Sequence, residues 1–104
     1  MDTHNLPIEQ LETNASNAAS LLKALSNESR LLILCNLVSG EKCVGELNDR
    51  IPLSQSALSQ HLARLRKDEL VSIRKEAQTV YYRIASKEAE QIIQVLYNVY
   101  CAVD

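Results

Sequence analysis

Side chains able to do covalent, redox or metal chemistry are few in this sequence: cysteines at 35, 43 and 101, and histidines at 4 and 61. A cysteine acts as nucleophile or metal ligand only as its thiolate, and a soft metal ion needs three or four thiolate or imidazole ligands in reach. No C-x-x-C pair occurs, and Cys35 stands in "LLILCNL", among apolar neighbours that raise a thiol's pKa. On pattern alone each cysteine reads as a small, packed, free thiol. The histidines offer no better start for catalysis. Ser59 precedes His61 by two residues, a spacing that points the two side chains to nearly opposite sides of a helix, and the helical neighbours of His61 are Ala57, Leu58, Arg64 and Leu65. None is a hydroxyl nucleophile or a carboxylate that could orient the ring, so neither catalytic residues nor a cofactor are expected.

The stretch "SQSALSQHLARLR", residues 54–66, suits a different chemistry. Leu58, Leu62 and Leu65 fall at helical spacing and hold one face to a core, while the other faces carry short hydrogen-bonding groups. Ser54, Gln55, Ser56, Ser59, Gln60 and His61, with Arg64, offer donors and acceptors to base edges and phosphates. Simple solvation is the alternative for any one of them, and His61 reads equally well as a structural histidine bonded within its own domain. Charge favours the first reading. Residues 54–83 hold six Lys or Arg against three carboxylates, a local +3, which leaves −5 elsewhere in a chain of net charge −2. An acidic protein with a basic surface still attracts polyanions, because steering follows the local field.

The elements that must position this stretch follow from periodicity and caps. Leu11, Ala15, Ala18, Leu22 and Leu25 keep a 3.6-residue period and predict a helix over 11–25. Asn27 caps a second helix, "ESRLLILCNLVS", apolar on nearly every side of its centre and ended by Gly40. A short third helix over 44–50 is stopped before Pro52, and Ser54 supplies the N-cap of a fourth. After Leu70 the period changes to two: Val71 and Ile73, then Val80, Tyr82 and Ile84, flank "RKEAQT" as a two-stranded hairpin. From Ser86 the chain returns to helix, and Ile92, Ile93, Leu96, Val99, Tyr100 and Val103 form a stripe too broad for one packing partner. Its second side is expected to meet another protomer.

With 104 residues and 46% hydrophobic content, the chain is expected to form one domain over 1–104, with residues 1–10 as a disordered tail that contains His4. Its longest purely apolar run, 31–35, is far below the roughly 18 residues of a membrane span, and an odd, sparse set of cysteines suits a reducing compartment. A soluble cytoplasmic protein with no membrane partner is expected. Mainly helical with a small hairpin, in the order helix, helix, short helix, Ser-capped helix, hairpin, helix, the chain has the plan of a winged helix-turn-helix. In that plan the third helix braces the fourth, which enters the major groove of double-stranded DNA.

Three segments, "ALSNESRLLIL", "VGELNDRIPLSQSALSQHLARLRKDELV" and "RKEAQTVYYRI", resemble the ArsR/SmtB family of bacterial transcriptional regulators. The likeness runs from about Ala18 to Cys101, and "RLLILCNL", "RKEAQTVYY" and "NVYC" are most similar to the family's sulfur- and redox-responsive group. The resemblance implies a homodimer, joined through its first and last helices, on a partly palindromic operator. It implies that Arg74 and Lys75 lie on the wing and contact the DNA backbone, and that Cys35 and Cys101 form a dithiol switched by reactive sulfur species or oxidants. The family's metal motif C-V-C-D here reads "CVGE": Cys43 matches the first cysteine, but Gly45 replaces the second. Its other metal site needs histidine on the last helix, where this chain has none. No metal site is therefore expected, and Cys43 is read as a packed residue. A constitutive regulator with structural cysteines and a metal-responsive repressor remain the alternatives.

Overall fold

The computed structural model describes residues 6–101; His4 and Val103 of the sequence expectations lie outside them. The order is α1 (Ile8–Leu25), α2 (Glu28–Leu37), β1 (Lys42–Cys43), α3 (Val44–Arg50), α4 (Gln55–Lys67), β2 (Val71–Glu76), β3 (Thr79–Ile84) and α5 (Lys87–Tyr100). This is the expected winged helix-turn-helix, with differences that each have a local cause.

Helix α1 starts earlier than its apolar spacing marks. Pro7 presets the backbone and its carbonyl accepts the Gln10 and Leu11 N–H groups, so residues 8–10 of the expected tail are helical. Helix α2 ends earlier, at Leu37. The chain turns through Val38 and Ser39 to Gly40, whose φ of +139° only glycine adopts freely. At its start Asn27 behaves as expected, its side chain accepting the Arg30 N–H at 3.0 Å.

The sheet has three strands rather than two, in the order β1-β3-β2. Lys42 pairs with Tyr82 and Cys43 with Tyr81, giving β3 a second antiparallel neighbour. Between β2 and β3 the connection is only Ala77 and Gln78, because Glu76 already pairs with Thr79. Ala77 sits at φ +55°, where a Cβ costs about 1–2 kcal/mol. Ala77→Gly is accordingly expected to stabilise the chain by roughly 0.5–1 kcal/mol in urea denaturation, part of the relief being offset by the flexibility glycine adds to the unfolded chain.

The core forms around α2. Ile33 and Leu34 have no exposed surface, and they share a cluster with Leu47 and Ile51, with Leu58, Leu62 and Leu65 of α4, and with Ala89 and Ile93 of α5. Asn48 donates its side-chain N–H to the Leu53 carbonyl at 2.8 Å, which fixes the joint between α3 and α4. Helix α1 contributes only Leu25 to the buried set, leaving Ile8, Leu11 and Leu22 exposed. Val95, Tyr97, Val99 and Tyr100 are likewise exposed on α5. Among the described residues, no helix is long and apolar enough to cross a membrane.

Candidate nucleic-acid interface and thiol pair

Helix α4 is positioned by its own sequence. Ser54 Oγ accepts the Ala57 N–H at 3.1 Å as N-cap, and three fully packed leucines fix which way the helix faces. At about 100° per residue, Ser56, Gln60, Ala63 and Lys67 form the row opposite those leucines. Gln55, Ser59 and Arg66 occupy one flank, His61 and Arg64 the other. Among the described residues, the side chains of Gln55, Ser56, Ser59, Gln60, His61, Arg66 and Lys67 make no hydrogen bond within the chain. Of these, His61 is half-buried.

Arg64 lies apart from the outward row. Its Nε donates to Asp68 at 3.1 Å, and its flank faces an open groove that Lys23 and Arg30 also line. With a side chain 63% exposed, that ion pair is worth at most about 1 kcal/mol and is readily exchanged for another anion. Arg66 and Lys67 were legible only as part of the local positive charge, although the helical phase already places Lys67 outward.

On the wing, Lys75 is exposed and in no ion pair among the described residues, whereas Arg74 is caged. Its guanidinium bonds to Glu41 through Nε and Nη2 and to Glu76 through Nη1, and it lies 4.6 Å from the centre of the Tyr81 ring. The hydrogen bonds from Arg74 hold the Glu41 carboxyl below the usual carboxylate range. Held in this way, the two groups contribute stability above the ordinary glutamate pKa and lose it as pH falls through the lowered one.

All three cysteines are free thiols. Cys35 is half-buried on α2, which packs on α5, and it borders an open groove with Asn36, Arg50 and Tyr97. Cys101, exposed, caps the end of α5. Burial pushes the Cys35 thiol above its ordinary pKa, and the nearby Cys101 raises it further. Cys43 stands elsewhere. Its N–H donates to Glu46 Oε1 at 3.0 Å, and with its thiol it lowers the Glu46 pKa, so Cys43 closes the N-terminus of α3. The "CVGE" stretch is thus a helix start, and among the described residues no three His, Cys, Asp or Glu side chains converge.

Comparison with known proteins agrees with this arrangement. The family described as bacterial regulatory protein, arsR family, matches residues 27–72, from the cap of α2 to the start of the wing. The transcriptional activator HlyU of Vibrio cholerae is 54% identical over 94 residues, covering 90% of this chain and 87% of that protein. A biofilm growth-associated repressor of Agrobacterium fabrum is 38% identical over 102 residues, covering 98% of this chain and 87% of its own. The structure of reduced HlyU from Vibrio cholerae superposes with a TM-score of 0.86 at 54% identity, over 90% of this chain and 99% of that one. These relatives are transcriptional regulators, not enzymes, and the chain belongs with them to the arsR family of DNA-binding bacterial regulators.

Proposed function

We propose that the protein is a cytoplasmic, homodimeric, single-domain regulator whose grip on a double-stranded operator is switched by reactive sulfur species or oxidants through Cys35 and Cys101. The observation that carries this reading is the placement of two free thiols on packed helices, Cys35 on α2 and Cys101 at the end of α5. It is supported by the likeness to HlyU, whose structure is of the reduced protein.

The chemistry balances with a persulfide as oxidant. The exposed Cys101 thiolate attacks the outer sulfur of RS–SH, forming Cys101–S–SH and releasing RS⁻. The Cys35 thiolate then attacks Cys101 Sγ, closes the disulfide and expels hydrosulfide. Two thiols are oxidised and the persulfide is reduced to a thiol and hydrogen sulfide. A direct bridge needs Cα atoms about 4.4–6.8 Å apart, and additional sulfur atoms relax that limit. Tying α5 to α2 shifts the spacing of the two recognition helices, which sit about 34 Å apart to match one DNA turn. The constitutive alternative draws its support from the burial of Cys35, which suits an inert thiol. Operator binding by reduced and persulfide-treated protein, with mass spectrometry of the thiols, separates the two: unchanged binding with no Cys35–Cys101 crosslink removes the switch.

For recognition, Ser56 and Gln60 in the outward row read base edges, Ser54, Gln55, Ser59 and His61 complete the contact surface, and Arg64 and Lys75 meet phosphates. Ser56→Ala and Gln60→Ala are each expected to cost about 1–3 kcal/mol on the operator and to relax base preference. Arg64→Ala and Lys75→Ala weaken binding to every sequence and flatten its salt dependence by about 0.9 in log–log slope for each lost phosphate. Fluorescence anisotropy on operator and scrambled duplexes measures both effects. Unchanged binding by all four variants excludes α4 as the reading helix.

A further inference from the structure

Arg74 lies on the wing strand β2, where a phosphate contact is expected of it, yet three of its five N–H donors are already engaged by carboxylates. Nε lies 3.1 and 3.2 Å from the two oxygens of Glu41, Nη2 bonds to the same carboxylate, and Nη1 reaches Glu76 at 2.9 Å. The Tyr81 ring covers one face of the guanidinium. Arg64 has a single partner four residues away on its own helix, whereas Glu41 is 33 residues from Arg74 in sequence. Glu41 therefore ties the wing to the loop between α2 and β1. Glu41 and Glu76 together offset the Arg74 charge, so a phosphate gains little from Arg74 while both carboxylates hold it.

We propose that Glu41 is an intramolecular phosphate surrogate that withholds Arg74 from DNA and sets the pose of the wing. Planar guanidinium binds a carboxylate in the same two-pronged way that it binds a phosphate, so the two compete for one set of donors. Arg74 is then a positioning residue, and the electrostatic contact of the wing falls to Lys75. Glu41 limits affinity: by keeping one cation from the sequence-independent part of binding, it lowers the hold on arbitrary DNA and leaves the base-reading row on α4 to decide where the protein stays.

Salt dependence tests this, because each phosphate engaged adds about 0.9 to the slope of log affinity against log salt. The probe is a random-sequence duplex of about 30 base pairs, titrated with the full-length protein from roughly 50 to 200 mM salt. Glu41→Gln is expected to steepen the slope by about 0.9, an extra loss of about threefold across that range, with tighter binding at the low-salt end. Arg74→Ala leaves the wild-type slope in place, whereas Lys75→Ala reduces it. The double variant Glu41→Gln/Arg74→Ala returns to the wild-type slope, an outcome that a general loosening of the wing does not produce. Circular dichroism confirms that each variant is folded. A reduced slope in Arg74→Ala, or an unchanged slope in folded Glu41→Gln, overturns the proposal.

Discussion

Val99→Glu is expected to leave the protomer folded, keep it monomeric at micromolar concentration, and weaken operator binding by about three orders of magnitude, equivalent to roughly 4 kcal/mol. The reasoning starts from what α1 and α5 leave uncovered. Ile8, Leu11 and Leu22 on one helix and Val95, Val99 and Tyr100 on the other are exposed, while Leu21 of α1 and Ile92 of α5 border a common groove. Large apolar side chains left exposed on two neighbouring helices are the kind of surface that a protein–protein contact buries. In a twofold interface every substitution occurs twice, and each unpaired carboxylate forced out of water costs several kcal/mol. Leu96→Glu is expected to break the dimer as well. However, Leu96 packs partly on the core of its own protomer, so that variant also loses folding stability. Val99, 68% exposed, tests the proposed interface without that loss. Analytical ultracentrifugation beside anisotropy checks the pair of effects, and a dimeric Val99→Glu protein that binds normally would move the interface elsewhere.

The second large effect concerns the thiols. Cys35→Ser and Cys101→Ser are each expected to bind operator like the reduced wild type and to lose the whole response to persulfide. Cys43→Ser should respond normally, since serine closes a helix start at least as well as cysteine. The acid–base behaviour of Cys35 sharpens this forecast. Burial is the larger cause of its raised pKa and Cys101 the smaller. Alkylation of Cys35 should therefore keep accelerating at pH values where an ordinary thiol has levelled off, and Cys101→Ser should bring that profile only part of the way down. A folded-state pKa above the unfolded one also means that the stabilising contribution is complete below the unfolded value and is lost as pH rises through the folded one. Rate profiles from pH-dependent alkylation and mass spectrometry read all three variants. A Cys35 profile identical to that of a free thiol, with an intact persulfide response in Cys101→Ser, would rule out the coupled pair.

Sequence made the helices legible where caps and period agreed. Asn27, Ser54 and Ser86 each accept a backbone N–H at the start of their helix, and the leucine spacing of α4 predicted its buried face. Two features were not legible for physical reasons. Strand β1 has two residues, too few for alternation to show, and it exists only because β3 offers it an edge. The wing turn places Ala77 at positive φ without the glycine or asparagine that normally signals such a turn. On the outward face of α4 and on the wing, residue types were readable but their commitments were not. Nothing local to "IRKEA" reveals that Arg74 is held by a carboxylate 33 positions away. The flank position of Arg64 was available from helical phase, but its bond to Asp68 was not.

The pairing of β1 with β3 also bears on how the chain folds. The hairpin of β2 and β3 closes across two residues, whereas bringing Lys42 to Tyr82 closes a loop of about 40, and each doubling of loop length adds about 0.6 kcal/mol of closure entropy. The hairpin and the α3–α4 unit are local enough to form early, on a microsecond scale. Helices α3 and α4 lie within that loop, and forming them shortens the distance that the β1–β3 pairing must span. The third strand of the wing therefore depends on helices that the two-residue hairpin does not need.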